Sequence, residues 1–252
     1  MTEASPGQLA RMAGGLYLIN IVLGFFAIGY VPAAIFVTGD VAATAHNIQT
    51  HELLYRSGVV AHIVVTLTNI PLAVIFYELF KVVNRRLALL VVFFILVATA
   101  VEVAGLPNEF APLALLGSGS YARALPAAQL QALAYLPGQL SAINYDISTV
   151  FYGSSIIILA YLVYRSTFLP RAIGVLLAID ALAYVAYGFA DLLAPSFAAH
   201  LVPWIQAPAL FGEGSLCLWL LLAGVSVPRW TDRARQRWNE QRSAAAVSRS
   251  NL

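Results

Sequence analysis

An all-α integral membrane bundle of six transmembrane helices, with both termini cytoplasmic, follows from three features of the chain. It is very apolar, its apolar residues fall in long runs, and its basic residues gather on one side of those runs. Of 252 residues, 60% are hydrophobic and 10% charged, and the mean hydropathy is +0.80. A soluble fold of this length has too little polar surface to cover so much apolar material.

A spanning helix needs about 20 mostly apolar residues. The segments 14–37, 54–80, 87–106, 142–164, 172–193 and 202–227 each supply them. Turn-forming residues separate them: Thr38-Gly39-Asp40, Asn84-Arg85-Arg86, the Gly/Ser stretch from Gly117 to Ser120, Ser166, and Ala194-Pro195-Ser196. None alternates in the manner of a barrel strand. The first run is too long for the apolar part of a signal peptide, and only Arg11 precedes it. With six spans, every one of the 14 Lys and Arg except Arg56 and Arg123 falls on the side of the termini. By the positive-inside bias that side is the cytoplasm.

The membrane domain is read as 1–228, followed by a basic cytoplasmic tail, 229–252, that is partly disordered. Trp230 and Trp238 stand there among arginines, so the tail is either a short helix on anionic headgroups or a solvated, topology-fixing extension. Two outer segments with helical potential, 40–52 and 127–140, are expected to lie in the interface over the outer end of the bundle. Each precedes a hairpin with a basic turn (Lys81–Arg86 and Arg165–Arg171), which hints at parallel duplication. Cys217 is the one cysteine, so no intrachain disulfide forms.

Each span carries one polar stripe at helical spacing. Thr99, Glu102 and Glu109 share a face of the third; Asp180, Tyr184, Tyr187 and Asp191 form a stripe on the fifth. The second offers His62, Thr66 and Asn69, the fourth Asn144, Ser148, Tyr152 and Ser155 with Asp146 beside them, the sixth Gln206 and Glu213. Tyr17 and Asn20 share a face of the first. Polar groups facing lipid go unsatisfied, so these stripes should enclose a shared polar interior.

An ionised Asp at mid-membrane costs about 2.5–3.5 kcal/mol on insertion scales, and several helices here accept that cost. At a rise of 1.5 Å per residue, Glu102 lies about 24 Å up a core of about 30 Å. Asp180 and Glu213 fall near mid-span. The acids thus gather in the outer half, opposite the basic face. Glu102, Asp180 and Glu213 are the expected acid–base residues, pointing with His62 into one cavity. Asn69, Asp146, Tyr152, Tyr184, Tyr187 and Arg56 are the further ligand-binding candidates. Plainer roles stand beside these: Glu109 and Asp191 at headgroup level, Asp146 bonded into its helix start, Asn20 and Asn69 as interhelical links, and Arg56 turned to the interface.

No metal-binding, phosphate-binding or nucleophile motif occurs, and the histidines lack ligand spacing. Neither a metal nor another cofactor is expected. A net charge of +2 gives no reason to expect nucleic acid as a partner. The expected partners are membrane lipids and a lipophilic small molecule.

An ordered series of segments carries a family resemblance: ARMAGGLYLIN (10–20), GDVAATAHNI (39–48), LFKVVNRRLALL (79–90), YDISTVFYG (145–153), YLVYRS (161–166), FLPRAIGVLL (168–177) and GEGSLCLWLL (212–221). In these the chain resembles the bacterial family known as domain of unknown function 4386. The resemblance implies a six-helix protein of the bacterial inner membrane and supplies no reaction or ligand. It sets Asp146, Arg165, Arg171 and Glu213 inside shared motifs.

Three functions remain open. The first is an acid-lined pocket in the outer half that binds or acts on a small lipophilic molecule. Burial in apolar surroundings favours the neutral form of a carboxyl, which suits acid-catalysed isomerisation or cyclisation, with Asp180 first, Glu213 second and Glu102 third as the acid. The second is a small proton- or cation-coupled transporter, and the third a non-catalytic membrane scaffold.

Overall fold

A computed structural model describes residues 5–117 and 125–250, and every regular element there is helical. The Ser118–Ser120 turn and Arg123 lie outside the described residues. Five helical runs are long and apolar enough to cross a membrane: Pro6–Ile35, Glu52–Leu116, Ala127–Arg165, Arg171–Leu193 and Trp204–Leu222.

The first, α1 (Pro6–Ile35), begins before its apolar run because its start is well capped. Ser5 Oγ accepts from the Gln8 backbone at 3.3 Å while the Ser5 backbone donates to Gln8 Oε1 at 3.0 Å, and Pro6 takes a position that needs no donor. A wider π-helical turn spans Phe25–Tyr30. The chain reverses at Gly39, whose φ of 78° suits glycine, into α2 (Val41–Thr50). Asp40 Oδ1 caps α2 by accepting from the Ala43 backbone at 2.8 Å. Segment 40–52 is therefore mostly helical, as its sequence suggests.

The run Glu52–Leu116 holds 65 residues. A straight helix of that length would measure about 98 Å, three times a bilayer core. At Asn84 the backbone is extended (φ −153°, ψ 107°), which divides the run into α3 (52–83) and α4 (85–116). Asn84 Oδ1 accepts from the backbones of Arg86 and Leu87 at 3.1 and 3.2 Å, so the asparagine that ends one helix caps the next.

α5 (Ala127–Arg165) corrects one expectation. Segment 127–140 is not a separate interfacial piece but the first part of one 39-residue helix that runs through Pro137. Proline is tolerated in apolar helices whose neighbours settle the freed backbone groups. The remaining elements are α6 (Arg171–Leu193), α7 (Pro195–Leu201), α8 (Ala207–Leu222) and α9 (Val227–Ser250).

The α3–α4 pair packs on α5, α5 on α6, and α6 on α8; α1 closes the bundle against α3–α4 and α8. Two contacts are backbone-close. A Cβ at Gly14 would lie 2.4 Å from Leu221 N, and one at Gly174 would lie 2.8 Å from Tyr164 N. The largest apolar core lies toward the Asn84 end, where Phe80, Val91, Leu162, Leu177 and Leu220 are buried. α9 starts as part of this body: Trp230 Nε1 donates to Leu79 O at 2.9 Å, and Arg229 donates to Thr167 O at 3.3 Å.

Candidate functional site

At the end of the bundle away from Asn84, α1, α3, α4, α5 and α6 surround a cavity of about 390 Å³. That is the lower part of the size range of small-molecule sites. Its polar groups come from two sides.

On the α3–α4 side, His62 Nδ1 and Glu109 Oε1 are 2.7 Å apart. Tyr55 OH donates to the Glu109 carbonyl at 2.9 Å, tying the ends of the two helices together. His62 is buried and its Nε2 has no partner. With Nδ1 engaged by Glu109, that second nitrogen is the one free to accept or donate a hydrogen bond. Glu102 stands two turns from Glu109. Its Oε1 accepts from Ser148 Oγ at 2.9 Å, and its buried Oε2 is unpartnered.

On the α5–α6 side, Asp146 faces Asp191. Their helices come close because Gly188 has no side chain; a Cβ there would lie 3.2 Å from Asp146 O. Phe36, Tyr55, Tyr135, Tyr145 and Tyr187 add five aromatic rings to the wall, and Ala27, Ile28, Val31 and Pro32 of α1 form an apolar side. The ring of Phe36 meets those of Tyr55 and Tyr135, each at a centroid separation of 6.4 Å. Gly138 gives Phe36 its place, since a Cβ there would lie 2.5 Å from the ring.

A second polar cluster lies deeper, between α1, α5, α6 and α8. Asp180 is fully buried with both carboxyl oxygens unpartnered, and Glu213 is buried with Oε1 unpartnered. Gly212 is in contact with Asp180: a Cβ there would sit 2.7 Å from Asp180 Cβ. Tyr17 and Tyr184 flank Glu213, and Tyr152 meets Tyr184 edge-on at 6.2 Å. Tyr145, two turns before Tyr152 on α5, lines the cavity.

The single cavity expected for Glu102, Asp180, Glu213 and His62 is thus two places. His62 and Glu102 line the cavity with Asp146 and Tyr187; Asp180 and Glu213 do not, and neither do Tyr152 and Tyr184. Axial distance is the reason. Asp180 lies seven residues before Tyr187 on α6, and Glu213 seven residues after Gln206, another lining residue, so each sits about 10 Å deeper.

Two further ligand candidates lie outside the cavity. Asn69 is buried and accepts from Asn20 Nδ2 at 2.7 Å, an interhelical link. Arg56 is half-exposed and pairs with Glu52 at 2.7 Å, outside the cavity. Glu109, for which a plain headgroup-level role was one of the two readings, is the partner of His62. A signal for this existed: His62 and Glu109 stand 22 and 25 residues on either side of Asn84, hence at similar depth on an antiparallel pair. The aromatic wall had no such signal, because Phe36, Tyr55 and Tyr135 come from helix ends that meet only in three dimensions.

Among the described residues, no group of three or more His, Cys, Asp or Glu side chains is placed to hold a metal ion. Residues 12–224 match the family described as "Domain of unknown function (DUF4386)", and the chain belongs to that family. No curated protein and no solved structure gives a match.

Proposed function

We propose that the protein crosses the bacterial inner membrane six times with both termini in the cytoplasm, and that its cavity takes up a small lipophilic molecule from the outer half of the bilayer. The single observation that supports the binding reading most is the combination in one 390 Å³ space of an apolar wall from α1 and partnerless polar atoms on His62 and Glu102. A cavity that served packing alone gains nothing from unsatisfied polar groups, which are costly to bury. The six crossings follow from counting α3 and α4 separately at Asn84. The basic Asn84 corner and α9 then face the cytoplasm, and the cavity faces outward.

Acid–base work on the bound molecule falls to Glu102 and the His62–Glu109 pair rather than to Asp180. Glu102 Oε2 is the carboxyl oxygen open to a ligand, and Ser148 fixes its other oxygen. Acid-catalysed isomerisation or cyclisation is the reaction class this arrangement suits. The test is an untargeted comparison of small molecules that co-purify with the wild-type protein and with Ala142→Phe, which places a ring at the cavity wall. The proposal expects at least one lipophilic species to be lost from the variant, and a comparison of cellular lipids with Glu102→Gln to show its conversion blocked. Identical profiles for wild type and Ala142→Phe would overturn the binding reading.

A proton-coupled transporter is the second reading, favoured by one observation. Tyr145 lines the cavity, and Tyr152, two turns further along the same helix, meets Tyr184 of the deeper cluster, so α5 runs past both places. Proton uptake by reconstituted vesicles that is lost in Tyr145→Phe would support it.

A further inference from the structure

We propose that the occupant of this cavity is a lipophilic amine or quaternary ammonium compound, an inference that rests on the cavity being a ligand site. The charge inventory carries it. Four carboxyls line the space, those of Glu102, Glu109, Asp146 and Asp191, and among the described residues its basic side chain is His62. Among the described residues, no Lys or Arg lines the space, and Arg56 is committed to Glu52 outside it. His62 is bonded to Glu109 and is near Glu102 as well. Asp146 and Asp191 face each other with no basic residue among the lining.

Carboxyls enclosed in a membrane interior need a counter-charge or a shared proton. A ligand cation beside the Asp146–Asp191 pair supplies the first. The aromatic wall matches the same ligand, because the faces of tyrosine and phenylalanine rings attract ammonium groups, most strongly where water is excluded. The partnerless Nε2 of His62 accepts a hydrogen bond from an amine N–H. The α1 wall of Ala27, Ile28, Val31 and Pro32 receives the apolar body. An anionic lipid would share the apolar wall, but its headgroup would meet the carboxyls with no Lys or Arg between among the described residues.

The test compares four probes with one body and different heads: octylamine, octyltrimethylammonium, octanol and octanoate. Each is measured by equilibrium dialysis against full-length protein in zwitterionic nanodiscs, with Ala142→Phe nanodiscs as the blank for partition into lipid. The proposal expects saturable binding of both cations, with octanol at least about tenfold weaker and octanoate indistinguishable from the blank. The Asp146→Asn/Asp191→Asn pair should weaken the cations about tenfold and leave octanol unchanged. The wild-type series stands by itself should that variant fail to fold.

Octanol or octanoate binding as tightly as the cations, with Ala142→Phe abolishing it, overturns the cation assignment and leaves the lipophilic pocket standing. No saturable binding of any probe above the blank overturns the cation assignment; whether the pocket reading falls with it is decided by the co-purification comparison.

Discussion

His62 and Glu109 carry the strongest residue-scale expectation. Their contact is 2.7 Å and mostly shielded, so it should contribute more than a surface pair. A double-mutant cycle of His62→Gln and Glu109→Gln, read by reversible unfolding in bicelles, should give a coupling of about 1–3 kcal/mol. Additive effects would mean that the two side chains do not hold one another. The Asn20–Asn69 link should give less, about 0.6 kcal/mol and at most about 1.7 for Asn69→Leu, the average and the maximum measured for hydrogen bonds between membrane helices. At this scale the sequence was half legible. Helical spacing placed Glu102 and Glu109 on one face and exposed the unusual cost of the intramembrane acids. It did not show that Asp180 packs against Gly212 while Tyr187, two turns on, reaches the cavity. A stripe along one helix is long enough to serve two sites, and only the neighbours decide where one ends.

Glycine sets the spacing between elements. Gly14 and Gly15 are adjacent on α1 and have opposite surroundings: a Cβ on the first would lie 2.4 Å from Leu221 N, and on the second it would meet nothing within 4 Å. Gly14→Ala must push α1 away from the α8 backbone and should cost about 1–3 kcal/mol. Gly15→Ala should be neutral or stabilise by up to about 1 kcal/mol through helix propensity. Thermal unfolding in detergent separates the two, and equal behaviour would deny the close helix contact. The apolar runs located the spanning elements from sequence but not their ends. α1 starts early because Ser5, Pro6 and Gln8 build a cap, and α4 continues past 106 through Pro107 to Leu116. Hydropathy detects the part of a helix that lies in lipid; caps and tolerated prolines decide how far the helix continues beyond it.

The two ends of the whole molecule are unlike in kind. Toward Asn84 the helices meet in a dense apolar core, and α9 is fastened to it by Trp230. At the other end the same helices part around the polar cavity. The depth of the acids along their helices made part of this legible in the sequence, because position along a helix does not depend on how helices pack. The sense in which the bundle crosses the membrane is the prediction on which the outward-facing cavity depends. A reporter joined after Leu252 should behave as cytoplasmic. One inserted at the Gly39–Asp40 turn, next to the cavity end, should behave as exterior, and so should one near Ser118. Because α3 and α4 run in opposite directions from the corner at Asn84, a third reporter there must match the Leu252 fusion. If the Asn84 and Leu252 reporters disagree, the count of six crossings fails. If they agree but both report the exterior, the bundle is inverted and the cavity draws its ligand from the cytoplasmic leaflet.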